Sequence, residues 1–198
     1  MSSVRNALLI PGQPTRERYY DPAVPSPSND HWFPWLAKQL SIRDIHAVCI
    51  EMPRAFEPRY PLWKREFDRY EIGRETILVG HSTGAGFLLR YLSENRSVRP
   101  GRVVLVAPWL DPERNPRWDC GDFFDFVLDR HLVERTRALV VFSSLDDKPD
   151  VLDSVEIIRQ TLTGVRFREF SDRGHFTVSL PDTEAFPELL LECLERVE

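Results

Sequence analysis

Apolar residues along this chain gather in two alternating kinds of segment. The first kind is a short continuous run: Ala7-Leu8-Leu9-Ile10, Ala47-Val48-Cys49-Ile50, Ile77-Leu78-Val79, Val103-Val104-Leu105-Val106-Ala107 and Leu139-Val140-Val141-Phe142. Runs of this length without polar alternation read as strands buried on both faces. A sixth segment, Val165 to Phe170, alternates instead. The second kind has helical spacing. It includes Trp32, Phe33, Trp35, Leu36 and Leu40, then Leu62 to Ile72, Ala85 to Leu92, Val155 to Leu162, and Glu184 to Val197. Pro108 to Arg137 reads as irregular at first and helical from Asp122 onward. Gln13 to Asp30 reads as a long loop rich in Pro, Arg and Tyr, a length often associated with function or mobility.

Strands alternating with helices predict an α/β fold, a three-layer arrangement of about six parallel strands with helices on both faces. The 198 residues suffice for one domain with a sizeable core. With no internal repeat and no linker, residues 1–198 read as a single domain.

The richest stretch is Gly80-His81-Ser82-Thr83-Gly84, which follows the third apolar run and precedes a helix. Strand, G-x-S-x-G, helix is the nucleophile elbow of α/β-hydrolase sheets. The sharp turn strains the serine backbone and crowds the positions two before and two after it, so glycines stand there. A serine hydroxyl is a weak nucleophile and needs a base oriented by a carboxylate. Beyond an elbow these follow in the order Ser, Asp or Glu, His. Asp146-Asp147 come just after the fifth strand, and His175 just after the sixth. All three positions fall at carboxyl ends of strands, the ligand-binding edge of open α/β sheets. Only one aspartate of the adjacent pair can face His175; the other faces solvent or caps the turn. Asp172 reads as a turn residue.

Four other histidines are weaker candidates for the base. His46 enters a strand, His131 lies in a helical segment, and His31 could border the site. His81 flanks the serine but points away from its hydroxyl. Backbone N–H groups must bind the oxyanion of the tetrahedral intermediate. Thr83, after the nucleophile, and Gln13, after the first strand, are the expected donors.

Composition narrows the partners. The net charge of −5 and pI of about 5.6 argue against a nucleic-acid binder. Cys49, Cys120 and Cys193 are odd in number and widely spaced, with neither metal-ligand nor disulfide spacing. The N-terminal apolar stretch is too short for a signal peptide or a membrane span. A cytoplasmic protein without membrane partners is expected.

Together these residues resemble the α/β-hydrolase superfamily. Within it the chain is similar to the small serine hydrolases typified by retinoblastoma-binding protein 9 and its bacterial relatives. The resemblance rests on Ile10-Pro11-Gly12, Trp32-Phe33-Pro34-Trp35-Leu36, Met52-Pro53, Val79 to Gly84, Phe142 to Asp147 and Gly174-His175-Phe176. It implies strand order 2-1-3-4-5-6, Asp147 as the triad acid, and hydrolysis of a small ester or amide without a cofactor. The chain departs from the family in its longer loop after Pro11-Gly12, in Thr83 where serine is common, and in Lys148 between Asp147 and Pro149.

Two further patterns affect function. Leu191-Glu192-Cys193-Leu194-Glu195 matches the L-x-C-x-E retinoblastoma-binding motif, but it lies in an amphipathic helix and reads as coincidence. The segment after the fourth strand carries Trp109, Trp118, Phe123, Phe124 and Phe126 among Asp111, Asp119, Asp122 and Asp125. It reads either as a lid favouring aromatic or cationic substrates or as a helix packing its aromatics inward. The catalytic expectation is thus Ser82, His175 and Asp147 acting on a small-molecule ester or amide. A non-catalytic protein-binding scaffold on the same fold is the competing class, and acyl transfer to another acceptor is a third.

Overall fold

The computed structural model describes residues 5–177 and 184–195. Its strands are β1 (Asn6–Ile10), β2 (His46–Cys49), β3 (Ile77–His81), β4 (Arg102–Val106), β5 (Ala138–Ser144) and β6 (Arg166–Phe170). Its helices are α1 (Arg16–Tyr20), α2 (Phe33–Ser41), α3 (Tyr60–Phe67), α4 (Thr83–Glu94), α5 (Pro149–Thr161) and α6 (Pro187–Leu194). The strands form one parallel sheet in the order β2-β1-β3-β4-β5-β6. Every residue of β3 and β4 is buried, which requires cover on both faces of the sheet. α2 and α6 form one layer, where Trp32 meets Phe186 edge-on. α3 and α4 form another, with Trp63, Phe67 and Tyr91 packed around Phe87. No helix among the described residues is long and apolar enough to cross a membrane.

Register explains where function can sit. Ile10 pairs with Gly80, His81 with Val106, Val106 with Phe142 and Ser144 with Phe170. The carboxyl ends of all the central strands therefore lie along one edge. The order reverses between β1 and β3, so a crevice opens where their following segments diverge.

Several expected elements differ in the structure. The segment after Asp122 is not helical. It runs as successive turns, closed by Phe123 N–H to Cys120 O (2.9 Å), Asp125 N–H to Asp122 O (2.9 Å) and Leu132 N–H to Asp129 O (2.9 Å). Only Val133–Arg135 makes a short 3₁₀ turn, so His131 is exposed in a turn rather than a helix. Gly121 at φ 51° and closely spaced aspartates favour turns over a continuous helix. The long loop after β1 holds α1, capped by the Thr15 side chain, and a 3₁₀ turn at Pro27–Asn29. α3 starts at Tyr60, with Pro61 in its first turn, and stops before Tyr70. α6 starts at Pro187 rather than Glu184; Val197 lies outside the described residues. Cys193 and Glu192 of the L-x-C-x-E match are buried in α6, so this segment is not extended.

Candidate active site

Ser82 stands between β3 and α4 at φ 53° and ψ −120°, a conformation that L-residues adopt only under strain. The turn is held from both sides. Ser82 N–H donates to Val106 O (2.9 Å), and Ser82 O accepts from Ala85, Gly86 and Trp109 N–H groups at 3.0–3.2 Å. Close approach dictates the two flanking glycines. A Cβ on Gly80 would lie 2.7 Å from Ala85 Cα and 2.8 Å from Gly84 O. One on Gly84 would lie 2.3 Å from Ile10 O. The elbow thus packs directly onto the end of β1.

The structure brings the three expected side chains together. Ser82 Oγ lies 2.9 Å from His175 Nε2, and both Asp147 carboxylate oxygens lie 3.0 Å from His175 Nδ1. With Nδ1–H donating to the carboxylate, Nε2 is the acceptor that faces the serine hydroxyl. The Asp147 side chain is almost fully buried, and the Lys148 N–H also donates to its Oδ1 (2.7 Å).

Asp146 has a separate task. Its Oδ1 accepts from Ser144 Oγ (2.6 Å) and from Gly174 N–H (2.8 Å), while Ser144 Oγ accepts from Arg173 N–H (2.9 Å). Asp146 and Ser144, at the end of β5, thereby grip the turn that carries His175. The Ser144 hydroxyl, and then the Gly174 amide, hold the Asp146 carboxyl below the ordinary carboxylate value.

His175 is also anchored from behind. His81 Nε2–H donates to His175 O (2.8 Å), and Trp32 Nε1–H donates to Phe176 O (3.1 Å). The His81 ring is thus committed to the His175 carbonyl, a contact the sequence did not reveal. Burial, reinforced by the neighbouring His175, pushes the His81 pKa well below 6.5, so the ring stays neutral. His31 borders the cleft, and burial lowers its pKa despite the adjacent Asp30. His46 is exposed at the start of β2, and His131 Nδ1 lies 2.9 Å from Glu134.

The cleft above Ser82 has a volume of about 380 Å³. Thr83 and Gln13 both line it. Thr83 is the first residue of α4, where a helix N–H has no intrahelical acceptor. Gln13 follows Gly12, whose Cβ, if present, would lie 3.0 Å from Ser82 Cβ. The Gln13 side chain spans two segments: Nε2–H donates to Phe56 O (2.9 Å), and Oε1 accepts from the Cys120 thiol (3.3 Å). Burial pushes all three thiols up to about 12, so they remain protonated. Among the described residues, no group of three or more His, Cys, Asp or Glu is arranged to hold a metal ion.

Much of the aromatic segment after β4 faces inward. Phe123 and Phe124 are buried in the core, and only Trp109 and Trp118 of its five aromatics line the cleft. None of its four expected acids lines the cleft. Asp111 is buried against Asn115 N–H (2.7 Å), Asp119 pairs with Arg59 (3.0 Å), Asp125 pairs with Arg114, and Asp122 is exposed.

A parallel sheet in this order, with a strained serine at the β3–α4 turn, defines the α/β-hydrolase superfamily. Solved structures agree. The ydeN gene product of Bacillus subtilis superposes with a TM-score of 0.71 at 26% identity, over 87% of this chain and 88% of that one. Est1E from Butyrivibrio proteoclasticus shares the fold at a TM-score of 0.59 and 11% identity, over 86% and 79% of the two chains. In sequence, Bacillus subtilis YdeN, a hydrolase by name, is 33% identical over 168 residues, 82% of this chain and 86% of its own. The model of the serine hydrolase family matches residues 23–187, and the chain belongs to that family.

Proposed function

We propose that this hydrolase cleaves a small ester or amide through an acyl-enzyme intermediate on Ser82, with no cofactor. The observation that carries this reading is the continuous relay from Asp147 through His175 to Ser82, all links at 2.9–3.0 Å. His175 Nε2 takes the Ser82 proton as Oγ attacks the substrate carbonyl. Asp147 holds the ring in the required tautomer and stabilises the imidazolium that forms. The oxyanion accepts hydrogen bonds from the Thr83 and Gln13 N–H groups. The tetrahedral adduct then collapses, and His175 returns the proton to the leaving oxygen or nitrogen. Water, activated by the same histidine, attacks the acyl-serine, releases the acid and regenerates Ser82.

The test is labelling of pure protein by a fluorophosphonate, alongside hydrolysis of simple p-nitrophenyl esters. Wild type should label and turn over. Ser82→Ala and His175→Ala should lose labelling, and their kcat should fall by about 10⁴ or more. A folded wild type that neither labels nor hydrolyses esters would sink the reading and favour a binding scaffold.

A further inference from the structure

The charges that line the cleft are unevenly satisfied. Two carboxylates face it. Asp30 is paired with Arg18 at 2.5 Å and also accepts from the His31 backbone N–H (2.9 Å). Asp150 accepts the Trp109 indole N–H (3.0 Å) and sits in the first turn of α5, where the helix dipole offsets a negative charge. Three cations also line the cleft: Arg18, Arg117 and Lys148. Only Arg18 is paired. Among the described residues, neither Arg117 nor Lys148 has a carboxylate within 4.0 Å.

These two cations stand on different walls. Lys148 follows Asp147 directly, caps α5 and is exposed. Arg117 comes from the turns after β4, with its guanidinium 5.5 Å from the centre of the Trp118 ring. Hydrogen bonds from its own backbone N–H and from Thr15 hold the exposed Glu17 carboxyl below its ordinary value and Arg117 adds a smaller pull, whereas the Lys148 charge reaches the cleft floor. Burial is the main reason that His81 stays neutral, but Lys148 adds to the effect at the cleft floor. The protein as a whole carries −5, so the excess of cationic over acidic side chains lining the cleft is opposed to its overall charge. A cleft with low-dielectric walls and free charges of one sign concentrates ligands of the opposite sign.

We propose that the substrate is an ester or amide bearing an anionic group, a carboxylate or similar oxyanion, held between Lys148 and Arg117 while its carbonyl meets Ser82. This rests on the hydrolase reading above. It reverses the preference for cationic substrates that the acidic segment after β4 suggested, because those acids lie elsewhere. The Trp109 and Trp118 rings supply the apolar wall between the anion site and the serine.

The experiment compares three p-nitrophenyl esters of matched chain length: the hemiglutarate, the neutral pentanoate and a trimethylammonium-terminated analogue. In wild type at low ionic strength, kcat/KM should rank anionic, neutral, cationic, with about tenfold between the first two. Added salt should shrink that ratio. Lys148→Glu and Arg117→Glu, tested separately and checked for folding by circular dichroism, should each lower the anionic-to-neutral ratio. Wild type that is labelled by fluorophosphonate and cleaves the neutral ester at least as well as the anionic one would overturn this inference while leaving the hydrolase reading intact. An unchanged ratio in both variants would do the same. Absence of both labelling and turnover would remove the hydrolase reading, and this inference with it.

Discussion

The floor and the rim of the cleft are built in different ways. The floor is made of strand ends. Ser82, Asp147 and His175 each follow a strand closely; backbone hydrogen bonds hold Ser82 and Asp147, and the side chains of His81, Asp146 and Ser144 hold the turn of His175. The rim is made of turns and side chains. Arg117, Trp118 and Lys148 reach the cleft from loop or helix-cap positions, and the two cations are exposed. Preorganised donors and bases need a rigid support, whereas selection among substrates can rest on groups that exchange easily. On the proposed mechanism the floor sets the type of reaction, and the rim sets which molecule undergoes it.

The largest test of this contrast lies within the floor, at two adjacent aspartates. Asp147→Asn should lower kcat by about 10³ to 10⁴, because an amide no longer fixes the tautomer of His175. Asp146→Asn should cost about tenfold or less, since Asp146 holds the turn and not the ring. Steady-state ester hydrolysis separates the two, and equal losses would break the assignment.

The second test sits where floor and rim meet. In the proposed mechanism Gln13 lends its backbone to the oxyanion site, and its side chain ties the loop to Phe56 and Cys120. Gln13→Ala should reduce kcat about tenfold and change KM less, since a displaced donor matters most in the transition state. A pure rise in KM would assign Gln13 to substrate binding instead.

The smallest effect concerns His81 and pH. Its folded pKa lies below 6.5, so the unfolded chain takes up a proton first as pH falls. The neutral, buried ring leaves stability intact above about pH 6.5 and erodes it progressively below, until the folded ring itself titrates. His81→Gln keeps a donor for the His175 carbonyl and removes this proton uptake. Thermal melts from pH 7.5 to 5 should show a shallower acid decline in the variant. Parallel curves would show that other groups, His31 among them, govern that range.

The same division explains what the sequence revealed. The buried strands β1, β3, β4 and β5 are continuous apolar runs and were legible, and with them the edge on which Ser82, Asp147 and His175 meet. The segment after β4 was not. Its aromatics have helical spacing, yet Gly121 and the clustered aspartates close turns, and the core receives Phe123 and Phe124 from an irregular chain. The rim charges were hidden for a different reason. Asp119 and Lys148 look alike as isolated ionisable residues. Only tertiary contact gives Asp119 an arginine partner and leaves Lys148 open to the cleft. The His81 contact with His175 joins residues 94 positions apart, and no local pattern encodes it.

The backbone of Ser82 has a consequence for how this chain can change over generations. At φ 53° a serine is held against its own preference, and glycine is the residue that relaxes there. Ser82→Gly is therefore a substitution that natural selection for a sturdier fold alone would accept, by about 1–3 kcal/mol. Under the proposed mechanism the work of the serine hydroxyl opposes that change, and a glycine in a descendant would mark the point where the chemistry was given up.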